Sequence, residues 1–265
     1  KDLRWEFFRD LHARFTERLV AATAPTFEAE MRQELAAFPE VFIADGTTLD
    51  RVAHRLKVLW DERTVVLPGK LLVLHDLFRG LPRVVEFHED AKGHEVPQLK
   101  ATLDAVPRGS LILGDRLYCV ASLFGEFEER GLHGLIRRKR PTKIKRLETL
   151  SAQTREREVI EDLLVLVGSG RYGPKRKLRM IRLRRGSKVL ELLTDVLDQA
   201  KLPADVALRL YRRRWKIERL FYDLKVVLNL HRFYAANANA VAMQVYAAAI
   251  VYVALRVAQG RIAKA

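Results

Sequence analysis

The sequence has 265 residues, of which 49% are hydrophobic. That fraction is sufficient for the core of one large domain, or of a domain with a sizeable insertion, and excludes wholesale disorder. Lys and Arg outnumber Asp and Glu by 48 to 33, which gives a net charge of +15. This excess favours nucleic acid as a partner. A basic surface that only maintains solubility, or a ribosome-associated protein, would also explain the charge. The single cysteine, Cys119, excludes an internal disulfide and is typical of a reducing compartment.

The N-terminal residues, 2–37, are expected to form helices. Leu3, Phe7, Leu11 and Phe15 recur at helical spacing with charged residues between them. The chain opens with neither Met nor a signal peptide, so we expect a further segment to precede it in the full protein.

A sheet flanked by helices is predicted for the next hundred residues. Strands are expected at 41–44, 70–77, 82–88, 111–114 and 132–137, and helices at 96–105 and 121–130. This order indicates an α/β fold with a mixed sheet. The apolar runs 41–44 and 111–114 are typical of buried strands, and each is followed directly by an acid, Asp45 or Asp115. Such strand-end acids lie where ligands gather in α/β folds, although each is also a common turn former.

Residues 138–197 differ in composition from the preceding part of the chain, because they are strongly basic and contain alternating apolar residues. We interpret them as a β-rich insertion rather than a continuation of the sheet. The predicted segments are therefore an N-terminal helical part (1–38), a first part of the core (39–137), the insertion (138–197) and a helical second part (198–265). The apolar stretch 240–255 is short for a membrane span and is expected to be a buried core helix.

A long helix is expected from about 204 to 228, and its polar face is unusual. At 100° per residue, Tyr211, Arg214, Glu218 and Lys225 fall within roughly 60° of one another. Glu218 thus has cations on either side of it, an arrangement that also occurs as ordinary ion pairing on a solvated surface. Together with Asp45 and Asp115, it completes a set of three carboxylates, which are ligands suited to the hard cations Mg²⁺ and Mn²⁺.

The spacing Tyr211-x2-Arg214-x3-Glu218-x6-Lys225 resembles, position for position, the Y-R-E-K signature of the IS-four type of DDE insertion-sequence transposases. Asp45 in DGTTL looks like the first catalytic aspartate of that family, and Asp115 in GDRLY looks like the second. The resemblance covers about residues 30 to 255 and implies a ribonuclease-H-like core interrupted by a β-rich insertion.

The same resemblance implies a function. Asp45, Asp115 and Glu218 would be both the catalytic residues and the ligands of two Mg²⁺ ions, with Mn²⁺ as an alternative, while Tyr211, Arg214 and Lys225 would bind DNA. The activity would be cleavage and strand transfer of insertion-sequence ends. The partners would be double-stranded DNA, as transposon ends and target, and a second copy in a synaptic homodimer. The location would be the bacterial cytoplasm, with no membrane association.

Two alternatives stay open at this point. The first is a ribonuclease-H-like nuclease that hydrolyses DNA without joining it, and the second is an inactive DNA-binding transposase relic. His75, His88 and His94 lack the spacing of a metal site and, like Cys119, are assigned structural roles.

Overall fold

The computed structural model describes residues 4–23, 25, 27–49, 69–90, 93–156, 158–168, 174–228, 230 and 237–262. The chain forms two compact units. Unit 1 combines Lys1–Phe27, Asp45–His94 and Lys216–Ala265, and unit 2 combines Glu28–Ala44 with Glu95–Trp215. The boundaries of these two units differ from those of the four segments predicted from the sequence. The division into four segments therefore remains a proposal.

The described strands are β1 (Val41–Thr48), β2 (Lys70–Asp76), β3 (Leu81–His88), β4 (Leu111–Gly114), β5 (His133–Arg137), β6 (Ile144–Arg155), β7 (Glu158–Val167), β8 (Arg176–Arg185) and β9 (Lys188–Thr194). The described helices are α1 (Trp5–Val20), α2 (Ala29–Glu34), α3 (Glu95–Thr102), α4 (Ala121–Arg130), α5 (Ala204–Arg212), α6 (Lys216–Tyr222) and α7 (Ala238–Ile262). Short 3₁₀ turns lie at Leu103–Ala105, Arg116–Tyr118 and Arg213–Trp215, and a π turn lies at Asp223–Val227.

Unit 2 contains most of the sheet. Its described strands are hydrogen-bonded in the order β1-β4-β5-β9-β8-β7-β6, with β1, β4 and β5 parallel and the later pairs antiparallel. The runs VFIA and LILG form the centre because strands covered on both faces read as continuous apolar sequence, and all eight of these residues are buried. Helix α4 packs on β5, and α5 packs on β7 and β8. The predicted mixed α/β fold is confirmed.

The insertion is rich in β structure, as predicted, but our interpretation that it stands apart from the sheet is wrong. Strand β9 pairs antiparallel with β5, so β6 to β9 extend the same sheet within unit 2. The physical reason is that β5 presents an edge of unpaired backbone groups, and β9 satisfies them.

A buried ion pair fixes the exit from the insertion to α5. The Arg179 side chain is fully buried, and its Nε donates to Asp162 Oδ1 at 2.7 Å. Its terminal nitrogens donate to the carbonyl oxygens of Val196 at 3.1 Å and Leu202 at 2.6 Å. The guanidinium therefore joins β7 and β8 to the segment from which α5 starts.

Unit 1 contains the antiparallel pair β2 and β3, the last part of β1, and the helices α1, α6 and α7. Helices α1 and α7 pack on each other and on β3, and Trp5 stacks on Tyr246 with ring centroids 5.9 Å apart. On length and composition alone α7 is apolar enough to cross a membrane. Its packing against α1 and β3 agrees with the predicted core helix.

Candidate active site

Asp45 lies within β1 rather than after it, because the strand continues to Thr48. Its burial falls at this point, from fully buried Ala44 to half-buried Asp45. The carboxylate Oδ1 accepts a hydrogen bond from the backbone N–H of Gly46 at 2.9 Å. The backbone thus orients an acid at the position where the buried run becomes accessible.

Asp115 is the first residue after β4, as predicted. It caps the 3₁₀ turn Arg116–Tyr118, where its Oδ1 accepts from the N–H of Leu117 at 2.6 Å. A side chain at Gly114 would meet Ile136 Cδ1 at 2.8 Å and Tyr118 at 3.1 Å. Gly114 is therefore required for the backbone to pack closely just before the acid.

The two aspartates hold equivalent positions along parallel strands. In unit 2, the register of β1 and β4 pairs Ile43 with Leu113. Asp45 lies two residues after Ile43 in the sequence, and Asp115 lies two residues after Leu113. The sequence inference that the two acids occupy equivalent contexts is thus matched by the strand register.

Tyr211 and Arg214 belong to unit 2, and both are buried, with 6% and 8% of their surfaces exposed. The Tyr211 hydroxyl donates to the carbonyl oxygen of Gly114 at 3.3 Å, directly before Asp115. Burial raises the pKa of Tyr211 to about 12, and the nearby Arg214 opposes that rise. The hydroxyl thus stays protonated and fixes the backbone that carries Asp115.

Arg137 is a residue of this region that the sequence interpretation missed. The register of β4 and β5 pairs Gly114 with Ile136, so Asp115 and Arg137 follow at equivalent strand positions. The charge of Arg137 also lowers the pKa of Tyr211, which places it in the same neighbourhood. Its position directly after the short apolar run 134–136, like that of Asp115 after the run 111–114, was the available signal.

Glu218 and Lys225 belong to unit 1. Glu218 is exposed on α6, whereas Lys225 is half-buried in the π turn. The Lys225 ammonium donates to Thr47 Oγ1 at 2.5 Å and to the carbonyl oxygen of Thr48 at 3.0 Å. Lys225 thus braces the end of β1 a few residues after Asp45.

The expectation of one regular α-helix over 204–228 is wrong. The segment changes to a 3₁₀ turn at Arg213–Trp215 and to a π turn at Asp223–Val227. A constant 100° step therefore does not apply from Tyr211 to Lys225. The π turn is the local feature that carries Lys225, and such turns are frequent at functional sites.

The acids fit a divalent metal by their chemistry, because carboxylate oxygens are the ligands that hard cations prefer. Backbone amides already orient Asp45 and Asp115, and the Glu218 side chain is exposed to solvent. Among the residues that the structure describes, no group of three or more His, Cys, Asp or Glu side chains is arranged around a metal position. The joint metal site of Asp45, Asp115 and Glu218 therefore stays a prediction.

A family model for the transposase DDE domain matches residues 36–254. The chain belongs to this family. It is a DNA transposase domain, so the family assignment favours the transposase over the nuclease and the inactive relic. Members of the family act on DNA and use divalent metal ions, and the predicted class of enzyme is confirmed.

Two relatives support the assignment. The chain is 27% identical over 256 residues to "Putative transposase y4zB" from Sinorhizobium fredii, an alignment that covers 88% of this chain and 70% of that protein. It is 24% identical over 225 residues to "Putative transposase for insertion sequence element IS4SA" from Synechocystis, covering 82% of this chain and 60% of that protein. The chain thus spans less than three quarters of the length of either relative.

The fold is similar to that of a solved transposase. The cryo-EM structure of the piggyBac transposase synaptic complex with hairpin DNA matches 88% of this chain and 50% of that chain, with a TM-score of 0.52 and 12% identity. At this identity the likeness concerns the fold alone, and it agrees with the predicted ribonuclease-H-like type.

Proposed function

We propose that this chain is the catalytic core of an insertion-sequence transposase that cleaves transposon ends and joins them to target DNA. The observation that carries the proposal is the pair of aspartates at equivalent positions of β1 and β4, combined with Glu218 in the Tyr-Arg-Glu-Lys spacing. Both features lie within the residues that match the transposase DDE domain.

Asp45, Asp115 and Glu218 would hold two Mg²⁺ ions, with Mn²⁺ as an alternative. When bound, the ions would supply a deprotonated nucleophile and stabilise charge on the scissile phosphate. The amides of Gly46 and Leu117 keep the two aspartates oriented before DNA arrives. Glu218 is exposed, so a cation can reach its carboxylate without rearrangement of the protein groups around it.

Tyr211, Arg214 and Lys225 are proposed to bind DNA phosphates near the cut, and their contacts within the protein indicate a second, bracing role. Tyr211 fixes the carbonyl oxygen before Asp115, and Lys225 fixes Thr47 and Thr48 after Asp45. A phosphate contact from Tyr211 requires its single O–H to turn away from Gly114. Arg214 carries a guanidinium that suits bidentate phosphate binding.

The partners would be double-stranded DNA, both as transposon ends and as target, and a second copy of the chain, since two ends must be held together for joining. The reaction would take place in the bacterial cytoplasm, where the DNA lies. The net charge of +15 supports attraction to DNA at a rate and affinity that fall with salt.

Incubation with a duplex carrying the inverted repeats that flank the gene, with Mg²⁺, Mn²⁺ or EDTA, tests the proposal. We expect metal-dependent nicking at the repeat boundary and products joined to a target plasmid. Hydrolysis without joined products would favour the nuclease. DNA binding without cleavage in either metal would favour the relic and would contradict the proposed activity.

A further inference from the structure

Two adjacent arginines at the end of β5, both in unit 2, have different environments. Arg138 is half-buried and is held within the protein, since its Nη1 donates to Glu191 Oε2 at 2.6 Å and its Nη2 donates to the carbonyl oxygen of Thr142 at 3.1 Å. Arg137 is exposed, and among the residues that the structure describes its guanidinium makes no hydrogen bond or ion pair. Successive side chains of a strand point to opposite faces, so the two arginines lie on different faces of the sheet.

The strand register places Arg137 on the face of the sheet that α5 covers. One row of directly opposed residues crosses four strands and consists of Arg137, Leu192, Ile181 and Asp162. Directly opposed residues of antiparallel strands share a face. The carboxylate of Asp162 lies on the α5 side, because Arg179 joins it to the carbonyl oxygen of Leu202 shortly before that helix. Arg137 therefore lies on the side of the sheet on which α5 presents Tyr211.

Arg137 also lies beside the acid that follows β4. Strands β4 and β5 run parallel, and Gly114 pairs with the residue before Arg137, so Asp115 and Arg137 lie at the same edge of the sheet on neighbouring strands. The Tyr211 hydroxyl, which donates to the carbonyl oxygen of Gly114 at 3.3 Å, lies within reach of both charges. Burial raises the pKa of Tyr211 to about 12, the charge of Arg137 opposes that rise, and the charge of Asp115 adds to it.

A cation at this edge has a chemical use in the proposed reaction. Carboxylates repel the phosphates of an approaching DNA backbone, and a guanidinium that no described carboxylate neutralises offsets this repulsion. Its planar fork also matches two oxygens of a phosphate. Arg138, which is held by Glu191 and Thr142, is committed to the structure and does not meet this need.

We propose that Arg137 binds a DNA phosphate within one nucleotide of the repeat boundary, next to Asp115. The assignment rests on the proposed function, which places the cut at that boundary. It adds to the site a phosphate contact from β5, a strand that contributes none of the residues of the Tyr-Arg-Glu-Lys spacing.

The first test compares Arg137→Gln with Arg108→Gln. Arg108 is an exposed arginine shortly before β4, at the opposite edge of the same sheet. Circular dichroism checks that both variants are folded, and binding is measured without divalent metal so that no DNA is cut. We expect Arg137→Gln to bind the repeat-end duplex about tenfold more weakly, and the slope of log K against log salt to fall by about 1. Arg108→Gln should change the affinity by less than about threefold.

A second test identifies the phosphate. Three duplexes carry a single uncharged methylphosphonate, at the repeat boundary or at one of its two neighbours. Arg137→Gln should bind the duplex that lacks its partner phosphate as tightly as the wild type does, and should bind the other two about tenfold more weakly. A tenfold loss on all three duplexes would place the contact farther from the boundary and overturn the proposal. If Arg137→Gln does not fold, Arg137→Lys, which keeps the charge and loses the fork, provides the same comparison with a smaller loss.

The outcomes separate this proposal from the proposed function. If the wild type cleaves and joins DNA while Arg137→Gln binds like Arg108→Gln with an unchanged salt slope, Arg137 contacts no phosphate and the transposase proposal stands. If the wild type binds the duplex without cleaving it in Mg²⁺ or Mn²⁺, the transposase proposal fails, and the methylphosphonate comparison alone decides the Arg137 contact. If the wild type binds no duplex, both proposals fail.

Discussion

Unit 2 surrounds Asp115 with buried groups, since Tyr211 and Arg214 are 6% and 8% exposed and Tyr211 bonds to the backbone before the acid. Unit 1 presents Glu218 on an exposed helix face and ties Lys225 to the end of β1. The difference matters for how mutations act. Changes near Asp115 should alter packing, whereas a change at exposed Glu218 should leave packing unaltered.

The largest expected effect is the loss of DNA cleavage, and we expect it for the aspartate of either unit. Asp45→Asn and Asp115→Asn each remove a negative oxygen ligand while keeping the shape of the side chain. We expect cleavage of the repeat-end duplex to fall more than about a thousandfold, equivalent to about 4 kcal/mol of transition-state stabilisation. Single-turnover cleavage measures the loss, and a variant that retains wild-type cleavage would remove that residue from the catalytic set.

The next effect concerns the stability of unit 2. Arg179→Met leaves the fully buried Asp162 without its ion partner, which should cost about 3–5 kcal/mol. Arg184→Met on the same strand is the control, since Arg184 is largely exposed and lies 3.9 Å from Glu161. Hydrogen exchange resolved by peptide should show faster opening of β7 and β8 in the first variant only. Equal exchange in both would contradict the bracing role of Arg179.

Acid should weaken unit 1 through its buried histidines. Burial lowers the pKa of His12 to about 4 and of His75 to about 3, both below the ordinary value of 6.5. Because the unfolded chain takes up these protons below pH 6.5 and the folded chain does not until pH 3–4, stability should fall as pH drops through that window. Hydrogen exchange in α1 and β2 should rise between pH 6.5 and 4.5, after correction for intrinsic exchange. Replacing His12 by Gln should reduce this rise, and an unchanged rise would exclude His12 as a cause.

The smallest effect distinguishes bracing from DNA binding at Tyr211. Tyr211→Phe removes the hydroxyl, and with it the bond to Gly114, which is worth about 1 kcal/mol, and the hydrogen bond with Arg214. If Tyr211 acts through the backbone of Asp115, cleavage should fall a fewfold with DNA affinity unchanged. A matching fall in affinity would instead show that the hydroxyl contacts DNA.

Local patterns in the sequence predicted the elements that carry the aspartates. The runs VFIA and LILG read as buried strands because sheet strands covered on both faces need no alternation. The helix α4 was equally legible, and Gly131 closes it at a φ of +64°. These predictions depend on neighbours within the chain, which a single sequence contains.

Features that depend on contacts between residues far apart in the sequence could not be predicted from local patterns. The pairing of β9 with β5 joins residues more than fifty positions apart, and the alternating insertion sequence fits a separate sheet equally well. The turns at Arg213–Trp215 and Asp223–Val227 contain neither Pro nor Gly, so nothing marked the departure from a regular helix.

Glu218→Gln tests the central claim most directly, because Glu218 is exposed and its loss should not disturb the fold. Glu129→Gln, an exposed change of equal charge on α4, is the matched control. We predict that Glu218→Gln binds the repeat-end duplex within about twofold of the wild type and loses Mg²⁺- and Mn²⁺-dependent cleavage. The control variant Glu129→Gln should cleave at the wild-type rate. Cleavage by Glu218→Gln at the wild-type rate would contradict the assignment of Glu218 as a metal ligand.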